Sequence, residues 1–95
     1  MADERVARRL LITGRVQGVG FRAFVKQKAD KLALDGFVRN RKDGSVEAVV
    51  IGNPKKVETL IALCHEGPPT SRVTDVKVNE GEVTTEKGFV HLPTF

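Results

Sequence analysis

The sequence predicts an α+β sandwich, an antiparallel sheet with two helices on one face, and three observations carry that prediction. Two segments place apolar residues at helical spacing, and the other apolar residues fall in short runs bounded by glycine, proline or asparagine. The chain has 95 residues, 40% of them apolar. Single cores commonly form from about 50 to 200 residues, so one domain over residues 1–95 is expected.

The elements follow in chain order. RRLLITG (residues 8–14) is a short apolar run ending on glycine, the pattern of a strand buried on at least one face. From Phe21, apolar residues recur at Phe24, Val25, Ala29 and Leu32, leaving Lys26, Asp30 and Lys31 for solvent, so a helix begins here. It is expected to stop near Leu34, with Asp35-Gly36 as the turn and Gly36 supplying a positive φ. FVRN (37–40) and SVEAVVI (45–51) flank Arg41, Lys42, Asp43 and Gly44, and Asp-Gly between extended runs marks an antiparallel hairpin. Asn53-Pro54 opens the second helix, Asn53 as cap and Pro54 at the first helical position, where its missing N–H costs nothing. Its apolar stripe is Val57, Leu60, Ile61 and Cys64. GPP at 67–69 ends it, RVTDVKV (72–78) reads as a strand, and GFVHL (88–92) as a short C-terminal edge strand.

The order is strand, helix, strand, strand, helix, strand, plus the edge strand, which is the split βαβ or ferredoxin-like arrangement. Its crossovers are right-handed in nearly all cases, which brings the loop after the first strand and the end of the second strand to one edge of the sheet. Residues 14–22 and Asn40 are therefore expected to meet.

Composition narrows the function. One cysteine, Cys64, excludes an internal disulfide. No run approaches the ~20 apolar residues of a membrane span or has the order of a signal peptide, so no membrane partner and a cytoplasmic location are expected. Sixteen Lys and Arg against twelve Asp and Glu give a formal charge of +4, spread in no long basic block. That favours an anionic partner, a small phosphate as readily as a nucleic acid.

GRVQGVGFRAF (14–24) carries three glycines and two arginines and runs directly into the first helix. Gly14, Gly18 and Gly20 remove side chains where backbone approaches a ligand or takes positive φ, and a helix N-terminus offers free N–H groups and the positive end of its dipole. Arg22, in the first turn, adds a planar cationic fork able to hold two oxygens of one anion. From the residues alone this reads either as a phosphate cradle or as a tight strand-to-helix connection with Arg22 a solvated surface charge. No Gly-Lys-Ser/Thr follows, and the GVGFRA match to a dinucleotide fingerprint precedes a hairpin instead of a parallel sheet, so no nucleotide cofactor is implied.

GRVQGVGFR, followed eighteen residues after its last arginine by Asn40 inside GFVRNRKDGSVE, and then GPPTSRV, closely resembles the acylphosphatase family. The resemblance covers nearly the whole chain. It implies a small ferredoxin-like enzyme that hydrolyses acyl phosphates to carboxylate and inorganic phosphate, with no metal or organic cofactor. It assigns phosphate binding to Arg22 and to the loop amides of Arg15, Val16, Gln17, Gly18, Val19 and Gly20, and the attacking water to Asn40. Inorganic phosphate is then product and inhibitor, and the working unit a monomer. The chain departs from the family's usual residues at Val25 (often Thr), Ala33 (often Gly), Phe37 (often Trp), Arg41 (often Thr) and in its HLPTF tail. These departures bear on the support around the site.

Other candidates read plainly. His65 and His91 lack partners at metal-ligand spacing and read as surface residues, so no metal site is expected. Cys64 lies on an apolar stripe as a small buried hydrophobe. Asp43 faces solvent in its turn and Glu47 alternates outward, which leaves no catalytic carboxylate pair. Arg39, Arg41 and Lys42 read first as freely solvated charges, with a raised positive potential near the site as the second reading. RNA-recognition domains share the topology but stack bases on strand aromatics; RLLIT and VEAVVI hold none, and Tyr and Trp are absent, so nucleic acid is excluded as a partner. A chain of 95 residues is also expected to act alone, not as an accessory domain of a larger carbamoyl-transfer enzyme.

Overall fold

The structure, a computed structural model, describes residues 4–95. Its elements are β1 (Val6–Arg15), α1 (Phe21–Lys31), β2 (Asp35–Asn40), β3 (Val46–Gly52), α2 (Pro54–Glu66), β4 (Arg72–Glu80) and β5 (Phe89–His91). They form one five-stranded sheet in the order β4-β1-β3-β2-β5. Both helices cover the same face: Phe21, Val25 and Ala29 of α1 and Val57, Leu60 and Cys64 of α2 pack on Leu10, Ile12, Val38, Val46, Ala48, Val50 and Val76. The ferredoxin-like α+β arrangement is thus present, with the spacing of the sequence's apolar residues defining its core.

The hairpin and the second helix form where their signals lie. Arg41 N–H donates to Ser45 O at 2.9 Å and Gly44 N–H to Arg41 O at 3.1 Å, closing the turn, while Asp43 Oδ1 accepts from Ser45 N–H and Oγ. Asn53 Oδ1 accepts from Lys55 N–H at 2.9 Å and Lys56 N–H at 3.3 Å.

The end of α1 differs from expectation. The helix stops at Lys31 and its cap residue is Ala33 (φ 55°); Gly36 has the expected positive φ, at 128°, but within β2 and not at the helix end. Ala33 N–H donates to Asp30 O and Leu34 N–H to Ala29 O, the paired bonds of a Schellman cap, and Leu34 is buried beneath it. Gly36 belongs to β2. A Cβ there would overlap the Val49 carbonyl of the neighbouring strand, so this glycine serves strand approach and not a helix end.

The sheet is antiparallel across β4, β1, β3 and β2, but β5 joins β2 in parallel, correcting the all-antiparallel expectation. The reason is where the chain arrives. β4 ends at Glu80, level with Arg8 near the start of β1, and the following segment reaches the start of β2, where Gly36 N–H donates to Gly88 O and Gly88 N–H to Asp35 Oδ1 at 2.7 Å. β5 can then only run the same way as β2. The tail continues along it, with Leu92 N–H to Val38 O and Phe95 N–H to Asn40 O, both at 2.9 Å.

Candidate active site

β1 and β2 run in the same direction on either side of β3, so the loop leaving β1 and the end of β2 emerge at one edge of the sheet. There a cleft of about 140 Å³ is lined by Val16, Gly18, Gly20, Phe21, Arg22, Ala23, Asn40 and His91. Ligand pockets for drug-sized molecules run from about 300 to 1,000 Å³. The cleft suits a single phosphate-sized group and excludes a nucleotide from full burial.

The loop is pinned from two sides. Gln17 Nε2 donates to Arg41 O at 2.7 Å and Ser45 O at 2.8 Å, fixing it to the hairpin, and Thr70 Oγ1 donates to Val19 O at 2.9 Å from the segment before β4. Buried Val16 anchors its start in the core, while Gly20 enters α1 in the left-handed region at φ 78°. No side chain caps α1, so the first-turn N–H groups face the cleft without a side-chain acceptor. Val16, Gly18, Gly20, Arg22 and Asn40 are therefore brought together as the sequence suggests. Arg15 is exposed at the end of β1, and the Gln17 side chain is spent on the hairpin. Gly14 lies outside the cleft, at an irregularity between β1 and β4 where a Cβ would overlap the Arg72 carbonyl oxygen.

Asn40 is held by its backbone between β3, opposite Val46, and the tail, through Phe95. Its Oδ1 is buried with no protein hydrogen-bond partner among the described residues. A buried acceptor of this kind costs about 1–3 kcal/mol if left unmade.

Behind Asn40 lies a feature the sequence reading misjudged. Glu47 does point to the face of the sheet away from the helices, but it is not solvated; its side chain is 5% exposed. Arg9 Nε approaches its carboxylate at 2.7 Å, Arg39 Nε at 2.6 Å and Arg41 Nη1 at 3.6 Å. Burial pushes the Glu47 carboxyl up, yet hydrogen bonds from Arg39 and Arg9 outweigh it and hold the group below the usual glutamate range. Phe95 lies under the Arg39 guanidinium, 4.1 Å from ring centroid to Cζ. The carboxylate thus ties down the two residues that flank Asn40 in sequence. Arg39 and Arg41 are fixed groups, not the freely solvated charges expected.

His91 is exposed, as expected of a surface residue, and it also lines the cleft, which the sequence analysis did not foresee. The signal was available: Phe89 and His91 alternate onto one side of β5, and Phe89 is buried in the helix-side core. His65 is exposed in the last turn of α2, and burial pushes the Cys64 thiol up to about 12, which suits a packing residue and not a nucleophile. Among the described residues no three His, Cys, Asp or Glu side chains converge as a metal-holding group. The cleft lining contains no carboxylate. On the far face of the sheet a hollow of about 270 Å³, floored by Phe37, Val49, Ile51 and Val90 and rimmed by Glu82, Glu86 and Lys87, offers no comparable set of donors for an anion.

No described helix is long and apolar enough to cross a membrane. The sequence model of the acylphosphatase family matches residues 8–91. An acylphosphatase of Rhizorhabdus wittichii is 48% identical over 91 residues, 96% of this chain and 92% of its own length. One from Thermococcus kodakarensis is 51% identical over 86 residues, 90% of this chain and 94% of its own. The crystal structure of acylphosphatase from Bacillus subtilis matches with a TM-score of 0.89 at 39% identity, covering 92% of this chain and 98% of that one.

Proposed function

The chain belongs to the acylphosphatase family, and from that premise we propose that acyl phosphate hydrolysis takes place in the cleft between residues 15–22 and Asn40. Arg22 and the loop and first-turn amides hold the phosphoryl group, and Asn40 holds the attacking water. The observation that carries this reading is the convergence of a cationic fork, an uncapped helix N-terminus and Asn40 on the lining of one phosphate-sized space.

The chemistry needs few groups. The water oxygen forms its bond to phosphorus in line as the bond from phosphorus to the carboxyl oxygen breaks, and the electron pair leaves with the carboxylate. A carboxylate is a weak base, so no general acid has to protonate it. Arg22 and the amides stabilise charge on the equatorial oxygens, a role that depends on donors fixed in advance. The Asn40 side-chain amide orients the water. Asparagine is no base, so the water's proton passes to a phosphoryl oxygen of the substrate. Glu47 supports this arrangement indirectly, by fixing Arg39 and Arg41 on either side of Asn40. No metal takes part. Inorganic phosphate leaves from the cradle and competes for it, and the working unit is a monomer.

Hydrolysis of benzoyl phosphate is expected to proceed unchanged in the presence of a metal chelator. Asn40→Ala is expected to lower kcat by about 10²–10³-fold while inhibition by inorganic phosphate changes less than about twofold, the signature of an interaction made in the transition state. Should phosphate inhibition weaken instead with kcat intact, Asn40 is a binding residue and the water-orienting role is lost.

A further inference from the structure

We infer that His91 is a further substrate-binding residue of this enzyme, whose protonated imidazole adds a second side-chain cation to the phosphate cradle; the inference rests on the reading of the cleft as the phosphate site. β5 pairs in parallel with β2, placing Phe89 level with Gly36 and His91 level with Val38, two residues before Asn40. Phe89 is buried on the helix side of the sheet, and alternation turns His91 to that same side, where the core gives way to the cleft. The ring therefore shares the cleft lining with Arg22 from α1 and Asn40 from β2.

The charges around it favour an anion. From α1, which packs against β5, Arg22 lines the cleft, and Lys26 one turn further is paired with Asp30 at 2.8 Å. From β2, Asn40 is uncharged, while Arg39 and the adjoining Arg41 face Glu47. From the loop, Val16, Gly18 and Gly20 bring only backbone and an apolar side chain. His91 is exposed at the cleft mouth, and with no carboxylate in the lining to compete for an imidazolium, a bound anion is the charged partner the cleft can bring to it. Histidine is the side chain type that changes charge across the physiological range, so its contribution grows as pH falls. The class of ligand is a phosphoryl group or inorganic phosphate, and the consequence is an enzyme whose affinity for it follows pH by more than the ionisation of phosphate itself.

The test is inhibition of benzoyl phosphate hydrolysis by inorganic phosphate at pH 8.5 and pH 5.5, in the wild type and in His91→Gln. Phosphate ionisation cancels in the ratio of the two inhibition constants. That ratio, variant over wild type, is expected to lie near one at pH 8.5 and to rise to about three to ten at pH 5.5, the range for one added charge in a partly solvated cleft. His91→Lys, permanently charged, should bind phosphate more tightly than wild type at pH 8.5. His65→Gln should match wild type at both values. A ratio that does not change with pH overturns the inference. Arg22→Ala separates the two levels: it should weaken phosphate inhibition at both pH values, and if it leaves inhibition intact the phosphate-site reading itself fails, whatever His91 does.

Discussion

At the start of α2 the Asn53 carboxamide accepts hydrogen bonds from Lys55 and Lys56, whereas at the start of α1 Gly20, at φ 78°, offers no side chain at all. Neither helix carries an acidic residue in its first turn. The two ends therefore differ in who supplies the acceptor. An N-cap is worth about 1 kcal/mol, and α1 forgoes it at the one helix start that opens on the cleft. Its donors are kept for a ligand. α2 begins at the opposite end of the sheet, just after Gly52, which pairs with Val6 at the start of β1, and there nothing but stability is at stake. The same physical group, a free helix N-terminus, is closed where it would only be a cost and left open where an anion can complete it.

The sharpest way to break this contrast is to supply α1 with a resident negative charge. Gly20 has open space around its missing Cβ, and asparagine and aspartate tolerate left-handed backbone better than other residues. Gly20→Asn and Gly20→Asp should therefore both fold, differing in charge alone. Gly20→Asp is expected to raise the inhibition constant for inorganic phosphate by about five- to a hundredfold over Gly20→Asn at pH 8, because unit charges within several ångströms repel by roughly 1–3 kcal/mol in a partly screened cleft. Equal inhibition constants for the two variants would mean that the anion does not sit at the open helix end.

How far the sequence could foresee this contrast depends on the range of the interactions involved. Asn53-Pro54 and the Asp43-Gly44 turn act within a few residues, and both elements form where those residues stand. The meeting of Gly18, Gly20 and Arg22 with Asn40 is longer-ranged but follows from strand order and connection handedness, which hydrophobic spacing already specifies. The direction of β5 does not follow, because it depends on where the segment after Glu80 meets Asp35 and Gly36. Nor does the burial of Glu47: alternation tells which face a strand residue takes, but not that Arg9, Arg39 and Arg41 will cover that face. The end of α1 was misread because glycine is the usual left-handed residue, and Gly36 was the nearer-looking candidate until its place against Val49 was known.

A smaller effect isolates the closed end. Asn53→Ala removes the acceptor for Lys55 and Lys56 and should lower stability by about 1 kcal/mol, or a Tm roughly 4–8 °C lower for a domain of this size. Its kcat and KM for benzoyl phosphate should match wild type, since the cap is at the end of the sheet remote from the cleft. A variant that kept its Tm, or lost activity at a temperature where it stays folded, would erase the division between a helix start that serves the fold and one that serves the ligand.

The smallest effect lies at the other end of α1, where the left-handed position goes to the wrong residue type. Gly20 and Ala33 bracket the same helix, both with positive φ, at 78° and 55°. At Gly20 there is no Cβ and no strain; at Ala33 the Cβ crowds the following carbonyl, which costs roughly 1–2 kcal/mol. Glycine at this position relieves the strain but loses more backbone entropy on folding, roughly 0.4–1 kcal/mol, so the two terms partly cancel. Ala33→Gly should therefore stabilise the protein by about 0.5–1 kcal/mol, raising Tm by a few degrees. The cap geometry should survive, because the bonds from Ala33 N–H to Asp30 O and Leu34 N–H to Ala29 O involve backbone only. Phosphate inhibition and kcat should not move, since this end of α1 lies away from the cleft. A fall in Tm would show that the backbone at Ala33 is held without strain and that entropy decides the position. A rise with unchanged kinetics would show that the strain at the cap had no part in the activity of the open end.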